Sequence, residues 1–451
     1  MEIIELCYSS LTLTMKNYMV NLTNINCIAF VCNHQRTCSW NEIARLYKQN
    51  NGKIKLIAII YDNIARKLIK PYLFDEIIDL EDEDKTRGNI KSEAIPFLSE
   101  YSFSDEWKID RKFKYETLEY FKSKIILASL NLIEKFPDKT LFLGEISWAY
   151  EKLIFTYSQS QQYVYLTPIS IRYLNRRWSL AIGNSEEDLF ANDITKLDKI
   201  SQLNKDRPDY FISGIKKLSF NSRLKDFIKR GFKMTIPGLL RQKILYLLIT
   251  PELELLKSRR IGANYSNFKK YYYGFQVQPE ASIDYLAPEY IDQYKLCEQI
   301  INELEEDEIL ICKSHPGERN LKDLKQEIRL IFNPKVIFLR TNFKTTELVK
   351  EISGAITITG TLGGELAQLQ IPTVSLKPIF YNKLKFSCKA NNVIDGLNIL
   401  RNFRTNGLSN KEFSDYLIRH SFEGYPFETS TYGFNDPSYI ENFTSILLNL
   451  R

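Results

Sequence analysis

The stretch Ala355-Ile356-Thr357-Ile358-Thr359-Gly360-Thr361-Leu362-Gly363-Gly364-Glu365 decides the fold of this chain. Its first four residues are apolar or β-branched, which is typical of a strand that is covered on both faces of a sheet. The glycines that follow allow a sharp turn, and the residues from Glu365 to Leu369 are good helix formers. A strand, a glycine-rich turn and a helix in this order predict a parallel α/β sheet with a ligand site at the carboxyl end of the strand.

This glycine-rich turn also has the chemistry of an anion site. The N-terminus of a helix presents free N–H groups and the positive end of the helix dipole. The hydroxyls of Thr359 and Thr361 stand beside those amides, so the turn predicts a cradle for phosphate. A tight strand-to-helix turn that binds nothing has the same glycine pattern, and the motif by itself leaves both interpretations open.

A second motif, Lys313-Ser314-His315-Pro316-Gly317, directly follows the apolar run 309–312. The chain has only three histidines, and Pro316 prevents the strand from continuing. An imidazole at a strand end can be charged or can donate a hydrogen bond near neutral pH, which suits a phosphate. A histidine that is only held by backbone groups is the alternative. Together the two motifs predict an anionic ligand at one edge of a sheet.

The whole sequence sets the class of protein. At 451 residues the chain is long enough for two large domains, and its 44% hydrophobic and 26% charged residues are those of a globular protein. No run of eighteen apolar residues occurs, and the N-terminus lacks the basic start of a signal peptide. We therefore expect a cytoplasmic protein.

Cysteine usage agrees with a reducing compartment, because seven scattered cysteines make a poor disulfide framework. Cys27, Cys32, His34 and Cys38 lie close together, but the first two fall on an apolar run and no second ligand pair with zinc spacing follows. We predict buried or incidental thiols and no metal site. The absence of an Asp-x-Asp motif at a predicted strand end favours a reaction without metal or other cofactor.

The net charge of +6 is too small to indicate nucleic-acid binding. Residues 216–260, however, contain twelve Lys or Arg against three acidic residues, with apolar side chains interspersed. That pattern favours an amphipathic helix on an anionic membrane surface, which would make the protein peripheral on the inner face of the cell membrane. A solvated outer face of a helical connection is the alternative.

Alternation of apolar strands and helices predicts two doubly wound domains. The predicted strands lie at 26–32, 54–60, 74–80, 140–144 and 163–167, and then at 271–277, 308–312, 335–339, 355–359 and 373–376. The predicted helices lie at 111–135, and then near 289–304, 320–331, 344–351 and 364–369. The predicted domains are an N-terminal Rossmann-like acceptor domain (1–215), a basic helical connection (216–268), a C-terminal Rossmann-like nucleotide-sugar-binding domain (269–390) and C-terminal helices packing across the domains (391–451).

The fold class predicted from this pattern is α/β of the GT-B type, with two Rossmann-like domains facing a central cleft. Such a cleft lets one domain hold an activated donor and the other an acceptor, while closure excludes water that would hydrolyse the donor.

Several motifs resemble the bacterial capsule polysaccharide biosynthesis family, which includes Kdo transferases and is of the GT-B glycosyltransferase kind. The resemblance is specific over about 270–380 and weaker upstream. It rests on the stretches 275–282, 313–316, 359–365 and 371–374, with echoes at 144–148 and Arg172.

The resemblance implies that the C-terminal domain binds a nucleotide-activated sugar. His315 and the turn containing Thr359, Gly360, Thr361, Gly363 and Gly364 would hold the donor phosphate, with Lys313 and Ser314 beside them. Glu365 would face the ribose hydroxyls, and Gln276, Gln278 and Glu280 would line the same cleft. The family likeness favours CMP-linked acidic sugars such as Kdo, while uridine and guanosine donors stay open.

A glycosyl transfer also needs a base that takes the proton from the attacking hydroxyl. We predict Glu145 for this role, because it follows the apolar stretch 140–144 and precedes a helix that begins near Trp148. A helix N-terminal acid that only balances the dipole is the alternative. Arg172 and Arg176, with Arg177, follow another predicted strand and would bind the carboxylate of an acceptor or donor, unless they are surface charges.

The predicted function is therefore transfer of a sugar from a nucleotide donor to a lipid-linked, capsular or other surface polysaccharide. Nucleotide-sugar epimerases and polyol-phosphate transferases of the same fold are alternatives, as is a glycan-binding subunit without catalysis. An epimerase has no acceptor groove, so product analysis with donor alone would separate it from a transferase.

Overall fold

The computed structural model describes residues 24–82, 97–98, 101, 117–133, 135–174, 176–183, 185–189, 252–258, 265–278, 281–315, 324–426 and 436–450. The chain forms two compact units. The first unit comprises Met1–Asn204 together with Leu417–Arg451, and the second is Lys205–Tyr416. Each unit is built around one sheet.

The strands of the first sheet are apolar where they lie at its centre, as a sheet covered on both faces requires. They are β1 (Cys27–Cys32), β2 (Lys55–Ile60), β3 (Glu76–Asp79), β4 (Thr140–Leu143), β5 (Val164–Ser170), β6 (Arg177–Ile182) and β7 (Ser185–Leu189), to which a late strand at Phe422–Glu423 is added. The strands from β1 to β5 are parallel, in the order β5-β4-β1-β2-β3. The mixed edge beyond β5 was not predicted, because β6 is antiparallel and pairs with both β7 and the late strand.

Helices cover the first sheet. They are α1 (Thr37–Gln49), α2 (Asn63–Leu68), α3 (Leu118–Leu132) and α4 (Ala149–Ser160), and Pro437–Leu448 joins them from the far end of the chain. Phe443 on that last helix stacks on Trp178 of β6 at 5.2 Å and meets Trp40 of α1 at 5.3 Å, edge to face. The three side chains are fully buried. The chain therefore returns at its C-terminal end to complete the first hydrophobic core.

The second sheet is parallel throughout the described residues. Its strands are β8 (Lys269–Gly274), β9 (Glu308–Lys313), β10 (Val336–Leu339), β11 (Gly354–Thr357), β12 (Thr373–Ser375) and β13 (Ser387–Lys389), and the late strand of the first sheet is then β14. Their order is β10-β9-β8-β11-β12-β13. The connecting helices are α5 (Ala281–Asp284), α6 (Gln293–Asn302), α7 (Leu324–Ile331), α8 (Thr345–Leu348), α9 (Thr361–Gln368), α10 (Val393–Arg401) and α11 (Asn410–Arg419), and the helix at Pro437–Leu448 is α12.

The α/β class and the two Rossmann-like units predicted from the sequence are confirmed. The stretch predicted to form C-terminal helices divides between the units, because Gly396 of α10 lies against Val374 of β12 while α12 packs in the first core. The cleft between facing units stays a prediction. Within the described residues, no helix is both long and apolar enough to cross a membrane.

Candidate functional site

The second unit has a topological switch point between β8 and β11. From β8 the chain runs outward through β9 to β10, and it then crosses back to place β11 on the other side of β8. In open α/β sheets the crevice at such a point, beyond the carboxyl ends of the strands, is where ligands bind. The stretches after β8 and β11 contain Gln276 and the turn Thr359–Gly360, so the topology brings two predicted site elements together.

Gln276 makes the central contact at this edge. Its side-chain amide is buried between the two strand ends and lies 3.2 Å from Thr357 Oγ1. The amide fits best with its oxygen toward the turn, because that oxygen then accepts from Thr357 Oγ1 and from the backbone N–H groups of Thr359 (3.1 Å) and Gly360. A phosphate oxygen that binds these two N–H groups must therefore displace the oxygen of Gln276.

The glycines of the turn are required by close packing. A β-carbon on Gly360 would lie 2.5 Å from Gln276 Nε2 and 2.8 Å from Thr357 Oγ1. One on Gly363 would lie 2.7 Å from Thr357 Cγ2 and 2.8 Å from the hydroxyl of Tyr381. That hydroxyl donates to the carbonyl of Gly360 at 2.9 Å and fixes the turn from outside. The sequence pattern gave no signal for Tyr381.

The helix after the turn begins earlier than predicted. It starts at Thr361 rather than near residue 364, so Gly363 and Gly364 lie inside its first turn. Its N-cap, Gly360, supplies no side-chain acceptor, and its first turn has no acidic residue. The positive end of the helix dipole is thus left to an external anion. Glu365 lies half-buried one turn further along, on the same face as Thr361.

His315 lies at the same sheet edge, two residues beyond β9, and is half-buried. Since β9 is the neighbour of β8, Gln276 lies between His315 and the glycine turn, and adjacent strands are about 4.8 Å apart. Lys313 is the last residue of β9, and its carbonyl accepts from the N–H of Phe275 at 2.9 Å. His315, Lys313 and the turn therefore share one edge, as predicted from the two motifs.

Ser314 is turned into the protein. It is 2% exposed, and its hydroxyl lies 3.4 Å from Nζ of Lys257. Lys257 is itself buried and pairs at 2.7 Å with both Glu254 and Glu327. This buried ion network, which the sequence did not reveal, anchors the strand end that carries His315.

Gln278 occupies a second amide network. Its Nε2 donates to Asp284 Oδ1 at 3.1 Å and to the carbonyl of Ile291 at 2.9 Å, and its Oε1 accepts from Gln293. Gln293 also holds Gln276, since its Oε1 accepts the backbone N–H of Gln276 at 2.8 Å. Gln278 therefore fixes the loop that positions Gln276, and its predicted contact with a donor stays a prediction. Glu280 lies outside the described residues.

The first unit has the same kind of switch point, between β1 and β4. Glu145 follows β4 at this edge and is 9% exposed. Its Oε1 pairs with the guanidinium of Arg36, which lies four residues beyond β1 and is 1% exposed. Its backbone carbonyl accepts from the hydroxyl of Tyr165 at 2.9 Å. The structure therefore places Glu145 at the predicted edge, but in a buried ion pair.

A second carboxylate, Glu151 of α4, lies beneath Glu145 and is fully buried. It accepts from Asn33 Nδ2 at 2.8 Å, from the hydroxyl of Tyr61 at 2.6 Å and from the N–H of Ser147 at 2.6 Å. Burial raises the pKa of Glu151 to about 8, and the nearby charge of Glu145 acts in the same direction. The three donors oppose this shift. The sequence gave no indication of this network, whose members come from four separate segments.

A histidine also belongs to this edge. His34 lies two residues beyond β1, and its Nδ1 is 3.8 Å from Oδ2 of Asp62, which follows β2. The imidazole is 40% exposed, and its ring centre is 6.4 Å from that of the half-buried Trp148. A signal was present in the sequence, because His34 follows an apolar strand just as His315 does.

The predicted arginines lie at the same edge, around the end of β5. Arg172 is exposed just beyond that strand. Arg176 pairs with Asp436 at 3.2 Å and lies over the ring of Tyr425. Arg177 donates to the carbonyls of Ile418 and Ser421 at 3.1 Å. The last two therefore fasten the C-terminal return to the first sheet, and carboxylate binding by Arg172 and Arg176 stays a prediction.

Two further predictions concern other parts of the chain. Of the basic stretch 216–260, residues 216–251 and 259–260 lie outside the described residues. In the part of the chain that the structure describes, no three His, Cys, Asp or Glu side chains are arranged to hold a metal ion.

Comparisons with known proteins were made for the chain as a whole. No family model matches it, and no curated protein matches it. Among solved structures, it is similar to the β-Kdo 2,4 transferase KpsC of Thermosulfurimonas dismutans, with 13% identity over 70% of this chain and 89% of that one and a TM-score of 0.32. The UDP-GlcNAc 2-epimerase of Neisseria meningitidis, bound to UDP-GlcNAc, shows 11% identity over 94% and 98% of the two chains, with a TM-score of 0.24.

The wall teichoic acid polymerase TagF is a third similar structure. It shows 10% identity over 94% of this chain and 89% of that chain, with a TM-score of 0.23. The similar solved structures thus include glycosyltransferases and UDP-GlcNAc 2-epimerases. At these identities, activity has to be argued from the residues of this chain.

Proposed function

We propose that this chain is a glycosyltransferase that moves a sugar from a nucleotide-activated donor to a capsular or other surface polysaccharide. The observation that carries the proposal is the bare N-terminus of α9 beside His315 and Lys313 at a switch point. Backbone N–H groups, a helix dipole, an imidazole and an ammonium group on one sheet edge suit the diphosphate or phosphate of a nucleotide sugar.

The roles within this proposal follow the chemistry of the two units. In the second unit, Thr359, Gly360 and Thr361 hold the phosphate, His315 and Lys313 balance its charge as the bond to the sugar breaks, and Glu365 takes the ribose hydroxyls. In the first unit, the cluster that contains Glu145 supplies the proton-transfer group for the acceptor. The resemblance of the motifs to the capsule polysaccharide family supports an acidic sugar such as Kdo as the donor sugar.

The donor class can be tested by thermal shift of the purified chain against a panel of cytidine, uridine and guanosine nucleotides. A bound nucleotide raises the melting temperature by mass action, so a response to one base only identifies the donor. Turnover is then measured as release of the free nucleotide, with and without polysaccharide acceptors. An epimer that forms with donor alone would favour the epimerase, and binding without turnover on every acceptor would favour the glycan-binding subunit.

Replacing His315 by Ala tests the donor site directly. We expect transfer to fall by about 100-fold or more, because a group that stabilises charge on the leaving phosphate is lost. The fold should be unaffected, since His315 is only half-buried. The matched control is His420→Ala, which lies at the end of α11 and outside the site. Unchanged turnover of the His315 variant with a radiolabelled donor would remove this residue from the mechanism.

We further propose that the basic stretch 216–260 binds the inner face of the cell membrane, where a lipid-linked acceptor would be found. The support is its twelve basic residues with interspersed apolar ones. Flotation with anionic liposomes is the test, comparing the wild type with a variant in which these bases are neutralised. Equal flotation of both proteins would contradict the membrane role.

A further inference from the structure

The inference concerns which side chain at the switch point of the first unit accepts a proton, and it rests on the proposed glycosyl transfer. Three side chains there have the chemistry of a base, namely Glu145, Glu151 and His34. The two carboxylates are committed to other groups. Glu145 forms its buried ion pair with Arg36, and Glu151 is fully buried and accepts three hydrogen bonds.

His34 differs from both in its exposure and its setting. Its imidazole is 40% exposed at the strand edge, so a substrate can reach it. The ring faces Asp62, whose Oδ2 also accepts the backbone N–H of His34 at 3.0 Å. The other oxygen of Asp62 caps α2, accepting from Ile64 at 2.8 Å and Ala65 at 2.7 Å. Asp62 is therefore fixed by three backbone groups and holds the imidazole from one side.

The charges around His34 favour the form that a base must reach. Asp62 beside it raises the pKa of His34, and the more distant Glu151 and Glu145 act in the same direction. Partial burial opposes this effect, and the positive charge of Arg36 is taken up by Glu145. An imidazole that gains a proton is therefore stabilised by the fixed carboxylate on its Nδ1 side, while Nε2 is the nitrogen left for a substrate.

We propose that His34, oriented by Asp62, is the base that takes the proton from the attacking acceptor hydroxyl. As the acceptor oxygen forms its bond to the anomeric carbon, the bond from that carbon to the donor phosphate breaks. The hydroxyl proton passes to Nε2 of His34, and the nucleotide leaves with the bonding electrons as an anion. The imidazolium then releases its proton to solvent. Trp148, beside the imidazole, provides an aromatic face for the acceptor sugar, and the Arg36–Glu145 pair forms the fixed wall of the site.

The experiment compares His34→Gln, Asp62→Asn and Glu145→Gln in the full chain, with His420→Gln as the matched control. For His34→Gln we expect kcat to fall by about 10² to 10⁴, the usual contribution of a general base, with donor affinity within twofold of the wild type. The acidic limb of the pH profile of kcat should disappear. Added imidazole should restore part of the activity of His34→Ala, which a merely structural role would not allow.

Asp62→Asn provides a second, independent readout. Asn still caps a helix, so α2 is retained. Loss of the carboxylate should lower the pKa of His34 and move the acidic limb of the profile to lower pH. The same shift can be measured by NMR with labelled histidine, because the chain has only three histidines.

Two outcomes would overturn the inference while leaving the proposed transfer in place. One is a His34→Gln enzyme with wild-type kcat and an unchanged pH profile. The other is a loss confined to Glu145→Gln, which would assign the base to Glu145. Failure of the wild type to transfer sugar from any donor of the panel would instead refute the proposed function, and this inference with it.

Discussion

Gln276 is the residue that links the two strand ends of the donor site, because its amide holds the N–H groups of Thr359 and Gly360. The site is therefore pre-formed around a neutral group of nearly the right size. A ligand phosphate has to compete with that amide, which favours anions over neutral ligands at the same position.

Gly360→Ala tests this contact. The added methyl group would meet Gln276 Nε2 at 2.5 Å and Thr357 Oγ1 at 2.8 Å, so the amide must move. We expect nucleotide affinity, measured by calorimetric titration, to fall about tenfold or more, with a loss of stability of about 1–3 kcal/mol from the overpacking. Gly396→Ala in α10 is the control, since its methyl group would meet Val374 and Ala390 at 3.3 and 3.5 Å. Equal affinity in both variants would contradict the role of the turn.

Glu151 makes stability depend on pH in a direction that can be worked out. Its pKa is about 8 in the folded protein and near 4.5 in the unfolded chain. Between these values the folded state binds a proton that the unfolded state has lost, so stability falls as pH rises from about 4.5 to 8. We expect the melting temperature of the wild type to decline relative to Glu151→Gln across this range. A constant difference between the two proteins would show that Glu151 is ionised throughout.

At this scale the sequence predicts positions and misses partners. His315 and the glycine turn could be placed because each follows an apolar strand, and strand ends meet at one edge. The ion pair of Glu145 could not be foreseen, since Arg36 is 109 residues away in the chain. Nothing in local pattern shows which of several polar residues at an edge will be covered, and His34 was missed as a base for this reason.

Strands were easier to predict than the ends of helices. The run 308–312 is observed as Glu308–Lys313, because continuous apolar residues are required wherever both sheet faces are covered. The start of α9 was missed by about three residues, since glycines that usually break a helix are packed here against Thr357 and Tyr381. The antiparallel strands β6 and β7 were missed because β7, Ser-Glu-Glu-Asp-Leu, is almost wholly polar.

Helix α12 provides a test at the scale of an element. Phe443 is fully buried between Trp40 and Trp178. Phe443→Ala should therefore destabilise the first unit by about 3–5 kcal/mol, through lost burial and the cavity that remains. Urea unfolding followed by tryptophan fluorescence measures this change. The control is Ile394→Ala on α10, whose side chain is 52% exposed and should cost less than about 0.5 kcal/mol.

The segment 252–258 is attached to the second sheet through the buried network of Lys257. Lys257→Met should destabilise the second unit by about 3–5 kcal/mol, because Glu254 and Glu327 would keep buried charges without their partner. Lys269→Met is the contrasting control, since its pair with Asp307 is exposed at 3.9 Å and should contribute less than about 1 kcal/mol. Circular dichroism in urea measures both, and equal losses would contradict the importance of burial.

At the scale of the whole molecule, the two units can be observed separately. All four tryptophans, at 40, 107, 148 and 178, belong to the first unit, and the second contains none. Tryptophan fluorescence therefore reports unfolding of the first unit, while circular dichroism reports both. Transitions that do not coincide would indicate that the units unfold independently, and a single unfolding free energy would then not apply to the chain.

The first unit is assembled from two distant parts of the chain, and this affects the order in which the protein folds during synthesis. The second unit is one uninterrupted segment, Lys205–Tyr416, which is complete before the ribosome reaches β14 and α12. Trp40 and Trp178 must wait for those last residues to be covered, although their own strands and helices emerge first. The usual order, in which N-terminal domains fold first during translation, is thus reversed here. Until release, the nascent chain exposes an unfinished apolar surface that is a natural target for chaperones.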